Sequence, residues 1–481
     1  MPRRGKTTAD ATAPAGRTGR FAHLRPLEFG LLIFSALILG TAVVALQLSQ
    51  SDAATRAGGD ATGLTSEVFP VIGGYIAVFG VAHVVMCLKA PDADQLMLPI
   101  AALLNALGLV MIYRIDLAAE TSRANSQIMW TVVGVAIFCA VIVFMRSHHN
   151  LQNYAYLLGL GGLFLSALPI VWPTSINADA RVWISVGPFS IQPGEFAKIM
   201  LLIFFAALLV NKRTLFTVAG RRVLGLQFPR LRDLGPILLV WGLAILICVF
   251  QNDFGPALLL FGTVLGMLYI ATGRSSWLVL GLGLAVIGGW GVFQISDKIR
   301  DRFTNFLDPL ATYDDGTGYQ LSQALFGLSF GGITGTGIGQ GYPQLVPVAY
   351  ADFILSSIGE ELGFIGLAAV LVLFAVLVTR GMVTALRAPD SFGKLVAAGL
   401  ALTMAIQVFV VTGGVSKLLP MTGLTTPFMS HGGSSLLANY LLLAILLKIS
   451  HDSRTREKAA PATSPADSDP ANPSTSTGVA Q

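Results

Sequence analysis

Long runs of apolar residues alternate with short polar segments along nearly the whole chain. A helix needs about 20 apolar residues to cross about 30 Å of hydrocarbon. Twelve runs approach or reach this length, near residues 28–49, 69–89, 96–113, 128–145, 153–172, 195–211, 235–251, 254–272, 276–295, 353–379, 395–413 and 434–450. The pattern predicts an all-α fold: a polytopic membrane helical bundle of about twelve transmembrane helices.

Composition supports this fold class. Of the 481 residues, 54% are hydrophobic and 12% are charged, whereas a soluble protein carries about 25% charged residues. Cys87, Cys139 and Cys248 all lie in predicted spans, as expected of small apolar residues rather than of a disulfide framework. The net charge of +5 is attributed to topology and to anionic lipid headgroups, so no nucleic-acid partner is predicted.

Basic residues in the loops predict the orientation of the protein in the membrane. The loop after the sixth span and the loop after the tenth are rich in Lys and Arg, which favours the cytoplasm for short loops. Both termini then lie on the cytoplasmic side of a multi-pass plasma-membrane protein. Residues 1–26 and 452–481 lack apolar periodicity and are predicted to be disordered tails. Loops as long as the segment 296–352 are usually functional or disordered. Its Gly-rich and aromatic composition favours order, so it is predicted to be an ordered extracytoplasmic loop.

Charged residues within or near the spans are candidates for chemistry. Glu195 and Lys198 follow a Gln-Pro helix start and share one helix face, which suggests a pair facing a polar cavity. The alternative is an interfacial ion pair that only orients the helix. The adjacent pair Glu360 and Glu361 in the tenth predicted span suggests a polar cavity too, with a structural bond to loop amides as the alternative.

The long loop carries its own carboxylates. Asp314 and Asp315 precede a Gln-rich segment with Gln320, and a carboxylate there could take a proton from a sugar hydroxyl or hold a divalent cation against a phosphate. Ordinary turn chemistry is the alternative, because Asp and Gly are common in turns. Asp253, between two spans, is interpreted as a helix cap.

The stretch "LPMTGLTTPFMSHGGSS", residues 419–435, joins the last two predicted spans. Its prolines and glycines stop the helices, and its hydroxyls, among them Ser434 and Ser435, can satisfy exposed backbone without adding charge. We expect this stretch to line a cavity rather than to perform the chemistry.

Four of these stretches together resemble the SEDS family of cell-wall proteins, the RodA and FtsW group. They are "RVWISVGPFSIQPGEFAK", "QNDFGPALL", the loop with "DDGTGYQ" and "ADFILSSIGEELGFIG", and "LPMTGLTTPFMSHGGSS". The resemblance implies a ten-helix core over residues 93–451, so that residues 27–92 form a two-helix N-terminal addition, as in RodA-type members from actinobacteria.

The resemblance also implies an activity. It is that of a peptidoglycan glycosyltransferase, which polymerises lipid II into glycan strands during elongation and shape maintenance together with a class B penicillin-binding protein. Counting back from Gln320 places Tyr313 where the family has its catalytic aspartate, so a shift of one residue assigns this role to Asp314, with Asp315 as second choice. The expected substrate-binding residues are Arg181, Glu195, Lys198, Gln320, Glu360, Glu361, Ser434 and Ser435.

Several alternatives stay open. No cofactor is required by the sequence, although a divalent cation such as Mg²⁺ or Mn²⁺ would fit a diphosphate leaving group. A division polymerase of the FtsW type shares the same motifs. A lipid II flippase or another transporter fits the composition equally well, and a non-catalytic scaffold for a transpeptidase would tolerate the loss of every carboxylate.

Overall fold

The computed structural model describes residues 24–56, 68–172, 181–187, 189–212, 222–223, 226–227 and 231–459. The helices are α1 Pro26–Arg56, α2 Val68–Lys89, α3 Met97–Ala119, α4 Arg123–Phe144, α5 His149–Asn153, α6 Ala155–Val171, α7 Gly194–Asn211, α8 Leu231–Phe250, α9 Phe254–Thr272, α10 Ser276–Ile295, α11 Asp297–Leu307, α12 Tyr319–Gly331, α13 Ile354–Glu361, α14 Gly363–Arg387, α15 Ser391–Val415 and α16 Gly433–Ala459. Strands β1 Ile184–Val186 and β2 Phe189–Ile191 form an antiparallel hairpin, as do β3 Arg222–Val223 and β4 Leu226–Gln227.

The predicted helical membrane bundle is confirmed. Ten helices in the described residues are long and apolar enough to cross a membrane, and two shorter apolar stretches, Ala155–Val171 and Leu238–Phe250, complete the set. With the exception described below, each predicted span coincides with one of these helices.

Helices α3, α7, α15 and α16 form the centre of the bundle. In the most apolar 18-residue segment of α16, 94% of the residues are buried, against 6% in the corresponding segment of α10. Helix α16 is therefore enclosed by protein, whereas α10 presents its surface outwards. Close packing at the centre uses small residues: a Cβ on Gly108 of α3 would lie 2.3 Å from the carbonyl oxygen of Met429. The polar stretch before α16 thus packs directly on the first core helix.

The tenth predicted span, 353–379, is wrong as a single helix. Residues 354–361 form the short helix α13, and the membrane helix α14 begins at Gly363. Gly363 has a φ of +69°, and a Cβ there would lie 2.2 Å from the amide nitrogen of Gly335. The loop backbone enters this gap, where Phe364 donates an amide hydrogen bond to Gly332. Glu360 and Glu361 therefore precede the span instead of lying inside it.

The long segment before α13, residues 296–352, contains regular structure. It contains α11, α12 and a short 3₁₀ helix, Pro343–Leu345. Leu321 and Ala324 of α12 pack with Val346, Ala349 and Phe353 in a small apolar cluster. This cluster holds the segment against the end of the bundle, which we call the loop end. The opposite end, which carries Arg25 and Ala459, is the terminal end.

Both predicted tails begin closer to the chain ends than expected. Arg25, assigned to the N-terminal tail, is fully buried and donates hydrogen bonds to the carbonyls of Ala90 at 3.0 Å and Asp94 at 2.7 Å. At the other end α16 continues to Ala459 instead of ending before residue 452, because Arg454 pairs with Asp94 at 2.8 Å. The remainder of both predicted tails lies outside the described residues.

The two N-terminal helices pack on the core. Helix α1 lies against α3, and α2 lies against α4. At the loop end, Gln340 donates a hydrogen bond to Ser49 Oγ at 2.7 Å. The predicted two-helix addition therefore contacts the long loop as well as the bundle.

Candidate active site at the loop end

A group of charged side chains converges at the loop end. Asp253 stands at the N-cap position of α9, Lys298 and Arg302 lie one turn apart on α11, and Asp352 precedes α13. We call these four residues the carboxylate–arginine cluster. The turn between α8 and α9, the amphipathic helix α11 and the end of the long loop each contribute to it.

Arg302 is held at the centre of this cluster. Its Nη1 donates a hydrogen bond to the carbonyl of Thr422 at 2.9 Å. A Cβ on Gly423 would lie 3.3 Å from Arg302 Nη2 and 3.5 Å from Asp352 Oδ2. The backbone of the polar stretch before α16 therefore lies directly against both charged groups, and glycine leaves the space that they occupy.

Burial changes the ionisation of both carboxyl groups. Burial raises the pKa of Asp253 to about 6, although the positive charges of Lys298 and Arg302 lower it. Burial also raises the pKa of Asp352 to about 6 against the opposing charge of Arg302, and the nearby Asp253 raises it further. A carboxyl group with a pKa near neutrality is suited to proton transfer.

The predicted pair Glu195 and Lys198 lies close by. Lys198 Nζ donates to Glu195 Oε2 at 2.6 Å and to Gln407 Oε1 at 3.3 Å. Lys198, Gln251 and Asp253 line a small cavity of about 40 Å³. Lys198 thus lines a partly polar cavity while it is paired with Glu195, and substrate binding by the pair stays a prediction.

The stretch 419–435 provides the expected hydroxyl bonds. Ser434 Oγ accepts a hydrogen bond from the amide of Gln192 at 2.8 Å, and the hydroxyls of Ser435 and Thr425 are 2.7 Å apart. Ser430 Oγ donates to the carbonyl of Ala351 at 2.6 Å. These bonds fix the polar stretch both to the start of α7 and to the residue next to Asp352.

Asp314 and Asp315 lie on the surface of the long loop between α11 and α12. Both carboxylates are exposed, and none of the described contacts joins them to the carboxylate–arginine cluster. Their neighbour Asp308 accepts amide hydrogen bonds from Leu310 at 3.1 Å and Ala311 at 3.2 Å. Turn chemistry thus accounts for Asp308, whereas the catalytic role of Asp314 or Asp315 stays a prediction.

Two further predicted binding residues, Gln320 and Arg181, have identified surroundings. Gln320 donates from Nε2 to the carbonyl of Pro347 at 2.7 Å. Arg181 is exposed, and its amide donates to the carbonyl of Gln251 at 3.2 Å. Gln320 is therefore engaged with loop backbone, while the Arg181 side chain remains accessible beside the turn that carries Asp253.

Glu360 and Glu361 bind loop amides. Glu360 Oε1 accepts from Tyr342 N at 2.5 Å, and Glu361 Oε2 accepts from Gly339 N at 3.1 Å. Burial raises the pKa of both carboxyl groups, while these amides and Arg114 lower it. The contacts match the structural alternative for this pair, and substrate binding by it stays a prediction.

Arg302, Asp352 and Arg114 were not predicted as functional residues. Arg302 and Lys298 are separated by four residues in the amphipathic segment "DKIRDRF", so helical spacing alone would have placed two cations on one face. Arg114 lies inside an apolar run, where a charge signals a buried partner.

The site combines two chemical capacities. The pKa values of Asp253 and Asp352 suit proton transfer near neutral pH, and Lys198, Lys298 and Arg302 supply positive charge of the kind that stabilises a departing diphosphate. Whether a divalent cation takes part stays a prediction. Among the described residues, a group of three side chains spaced to share a metal ion occurs at the terminal end instead.

Comparisons with known proteins agree on one family. The family model FTSW_RODA_SPOVE, described as "Cell cycle protein", matches residues 94–455. The peptidoglycan glycosyltransferase RodA of Mycobacterium tuberculosis is 47% identical over 455 residues, covering 93% of this chain and 95% of the relative. Stage V sporulation protein E of Bacillus subtilis is 33% identical over 383 residues, covering 77% of this chain and 100% of the relative.

A solved structure also resembles this chain. A chain from a study of polymerisation and crosslinking by a peptidoglycan synthase complex superposes with a TM-score of 0.60 at 27% identity, covering 75% of this chain and 98% of its own length. The region matched by the family model, residues 94–455, includes the whole carboxylate–arginine cluster. The chain therefore belongs to the FtsW, RodA and SpoVE family of cell cycle proteins.

Proposed function

We propose that this protein is a peptidoglycan glycosyltransferase of the RodA type, which polymerises lipid II at the loop end of its bundle. The carboxylate–arginine cluster carries the proposal: two carboxyl groups with pKa values of about 6 lie beside the partly buried guanidinium of Arg302. The higher identity to a RodA, 47%, than to a probable FtsW of Geobacter, 32%, supports an elongation role over a division role.

The reaction forms one glycosidic bond and breaks one bond to phosphate. The 4-hydroxyl oxygen of the acceptor sugar attacks the anomeric carbon of the donor, and the undecaprenyl diphosphate leaves with the electron pair of the broken bond. The hydroxyl proton passes to a carboxylate. We assign this base to Asp314, because it stands one residue from the position of the catalytic aspartate in the resembling family motif and its carboxylate is exposed.

Positive charge stabilises the leaving group. Arg302 lies under the polar stretch, and Lys198 lines the adjacent cavity, so both can face a diphosphate. Asp253 and Asp352 position Arg302 by their opposite charge. An Mg²⁺ or Mn²⁺ ion bound between carboxylates and the diphosphate would add to the same effect.

Orientation and partner follow from the surface of the bundle. We infer that the loop end is extracytoplasmic and that both termini are cytoplasmic, because Arg380, Arg387 and Arg454 lie at the terminal end. The least buried core spans are α10 and α14, with 6% and 22% of their apolar windows buried. These helices offer the area that a class B penicillin-binding protein would need for contact within the membrane.

The test is polymerisation of purified lipid II in liposomes, with and without a co-expressed class B penicillin-binding protein. We expect glycan strands from the unmodified protein and their loss in Asp314→Asn. The matched control is Asp297→Asn, because Asp297 is an exposed residue of the same loop region.

Other outcomes separate the alternatives. Loss in Asp315→Asn alone would move the base by one residue, and loss in Asp352→Asn with Asp314→Asn unaffected would assign the base to the buried cluster. Transfer of lipid II across liposomes without any strands would identify a flippase and reject the proposal.

A further inference from the structure

A second cluster of ionisable side chains lies at the terminal end, across the membrane from the proposed active site. Its centre is His148, in the turn between α4 and α5, whose side chain is 1% exposed. His148 Nε2 lies 2.9 Å from Asp390 Oδ1, and His148 Nδ1 lies 3.1 Å from Asp452 Oδ2. A nearly inaccessible imidazole is thus enclosed by two carboxylates from different helices.

A second imidazole completes the group. His149 Nε2 lies 3.8 Å from Asp390 Oδ1, and the ring centroids of His148 and His149 are 4.3 Å apart. The ligand atoms of His148, His149 and Asp390 all lie within 4.8 Å of one another. Ligand atoms around a tetrahedral Zn²⁺ at Zn–N distances of about 2.0–2.1 Å are roughly 3.3 Å apart, so a small side-chain adjustment would place all three on one ion.

The surrounding bonds orient these ligands. Asp452 can accept from Nδ1 of His148, which leaves the lone pair of Nε2 directed at Asp390. A carboxylate on the distal imidazole nitrogen is the usual outer partner of a metal-bound histidine. The other oxygen of Asp390, Oδ2, accepts from the amide of Gly393 at 2.7 Å, so Oδ1 remains directed at the two imidazoles.

The packing also leaves a defined space for the group. A Cβ on Gly393 would lie 2.8 Å from His148 Nε2, so a glycine is needed at the start of α15 for the imidazole to occupy its place. Lys448 Nζ lies 3.9 Å from Asp452 Oδ1 and compensates part of the negative charge on the outer carboxylate. The site is therefore built from α5, α15, α16 and the turn before α5.

We propose that His148, His149 and Asp390 bind a divalent transition-metal ion, with Zn²⁺ as the best match, and that Asp452 orients His148 as its outer partner. Two imidazoles and one carboxylate suit Zn²⁺ better than Mg²⁺ or Ca²⁺, which prefer oxygen ligands only. Three protein ligands leave one position for water. The ion would join the turn after α4 to α15 and to the C-terminal helix.

The direct test measures metal binding by purified, untagged protein in detergent after treatment with a chelator. After Zn²⁺ is added back and the excess is removed by desalting, we expect elemental analysis to give one Zn²⁺ per chain. When Co²⁺ is added instead, we expect the visible absorption bands of tetrahedral Co²⁺. His149→Ala should abolish both signals. Asp452→Asn should weaken Zn²⁺ binding by about 10-fold to 100-fold, the usual effect of removing an outer partner.

The matched control is His451→Ala. His451 lies beside Asp452 on α16, but it is not one of the three spaced ligands, so its loss should leave the stoichiometry unchanged. His149→Cys provides a gain of signal, because a thiolate also binds Zn²⁺ and Co²⁺ and would add a sulfur-to-cobalt charge-transfer band.

Two results would overturn the proposal. The first is a stoichiometry near zero in the unmodified protein, in which case the group is only a set of ion pairs around a protonated His148. The second is binding that persists unchanged in His149→Ala. Because His149 is more than one-third exposed, its substitution tests the site even if variants of the buried His148 fail to fold.

Discussion

Arg114 of α3 donates a hydrogen bond from Nε to Glu361 of α13 at 2.9 Å, and its Nη2 donates to the carbonyl of Gly341 at 2.7 Å. The first helix of the core is thereby bonded to both the short helix α13 and the glycine-rich backbone that precede α14. The position of Asp352, between these two contacts in sequence, depends on them.

Replacing Arg114 by Ala should destabilise the protein strongly. The change leaves the Glu361 carboxylate buried without its cation, and breaking a buried ion pair from one side costs about 3–5 kcal/mol. We expect a clear drop in the midpoint of thermal unfolding in detergent. Arg300→Ala, which breaks an exposed pair with Asp297, should change it little, and equal drops in both variants would contradict a structural role for Arg114.

Arg302→Gln should reduce lipid II polymerisation by about 100-fold or more, the scale seen when a donor to a developing negative charge is removed. The control variant is Arg300→Gln, because Arg300 lies two residues away on α11 but is half-exposed. The rate of strand formation by each purified variant decides the matter. A similar loss in both variants would indicate that α11 as a whole, rather than the guanidinium of Arg302, is required.

Polymerisation should fall as the pH decreases through about 6. The pKa values of Asp253 and Asp352 are about 6, so acidification protonates both groups and Arg302 loses its negative partners. The rate should therefore decline between about pH 7 and pH 5. Asp352→Asn should flatten part of this profile, and a constant rate in the unmodified protein would refute the assignment.

The stability of the folded protein, unlike the polymerisation rate, should increase as the pH decreases. The pKa of Asp352 is raised in the folded state from an ordinary value of 3.8, so the folded state binds the proton more tightly than the unfolded state does. This stabilisation is complete below the ordinary value and is lost as the pH rises through about 6. Thermal unfolding midpoints measured against Asp352→Asn should show the unmodified protein gaining stability on acidification.

Arg25→Gln should loosen the N-terminal pair of helices. The substitution removes the hydrogen bonds to the turn between α2 and α3 and leaves Glu28 buried beside His83. We expect faster proteolysis at the turn between α2 and α3, which Arg25 contacts, and a loss of stability of about 3–5 kcal/mol. Arg56→Gln, at the exposed end of α1, serves as the control, and identical proteolysis of both variants would contradict the prediction.

Apolar periodicity was sufficient to predict the bundle. It failed at residue 362, because the break before α14 depends on the close approach of Gly335 to Gly363, a contact between distant segments that no local pattern records. It also missed the extension of α16, whose last turns are stabilised by Arg454 and Asp94 rather than by burial of apolar side chains.

The candidate site was predicted in part. Glu195 and Lys198 were found because charges in an apolar run are conspicuous. Asp253 was interpreted as a cap, since one sequence cannot show that Arg302 returns to it from a separate helix. The sequence also could not show that Asp314 and Asp315 are exposed, because turn residues and catalytic residues share the same composition.

Helix α16 begins at the polar stretch beside Arg302 and ends beyond Asp452. Its 27 residues extend about 40 Å at 1.5 Å per residue, and its sides are enclosed by the bundle. A helix bonded at both ends and enclosed along its membrane-spanning part has little freedom to tilt or slide by itself. The geometry of Ser434 at one face of the membrane is therefore mechanically linked to that of Asp452 at the other, and substitutions near residue 450 can affect wall synthesis without touching substrate.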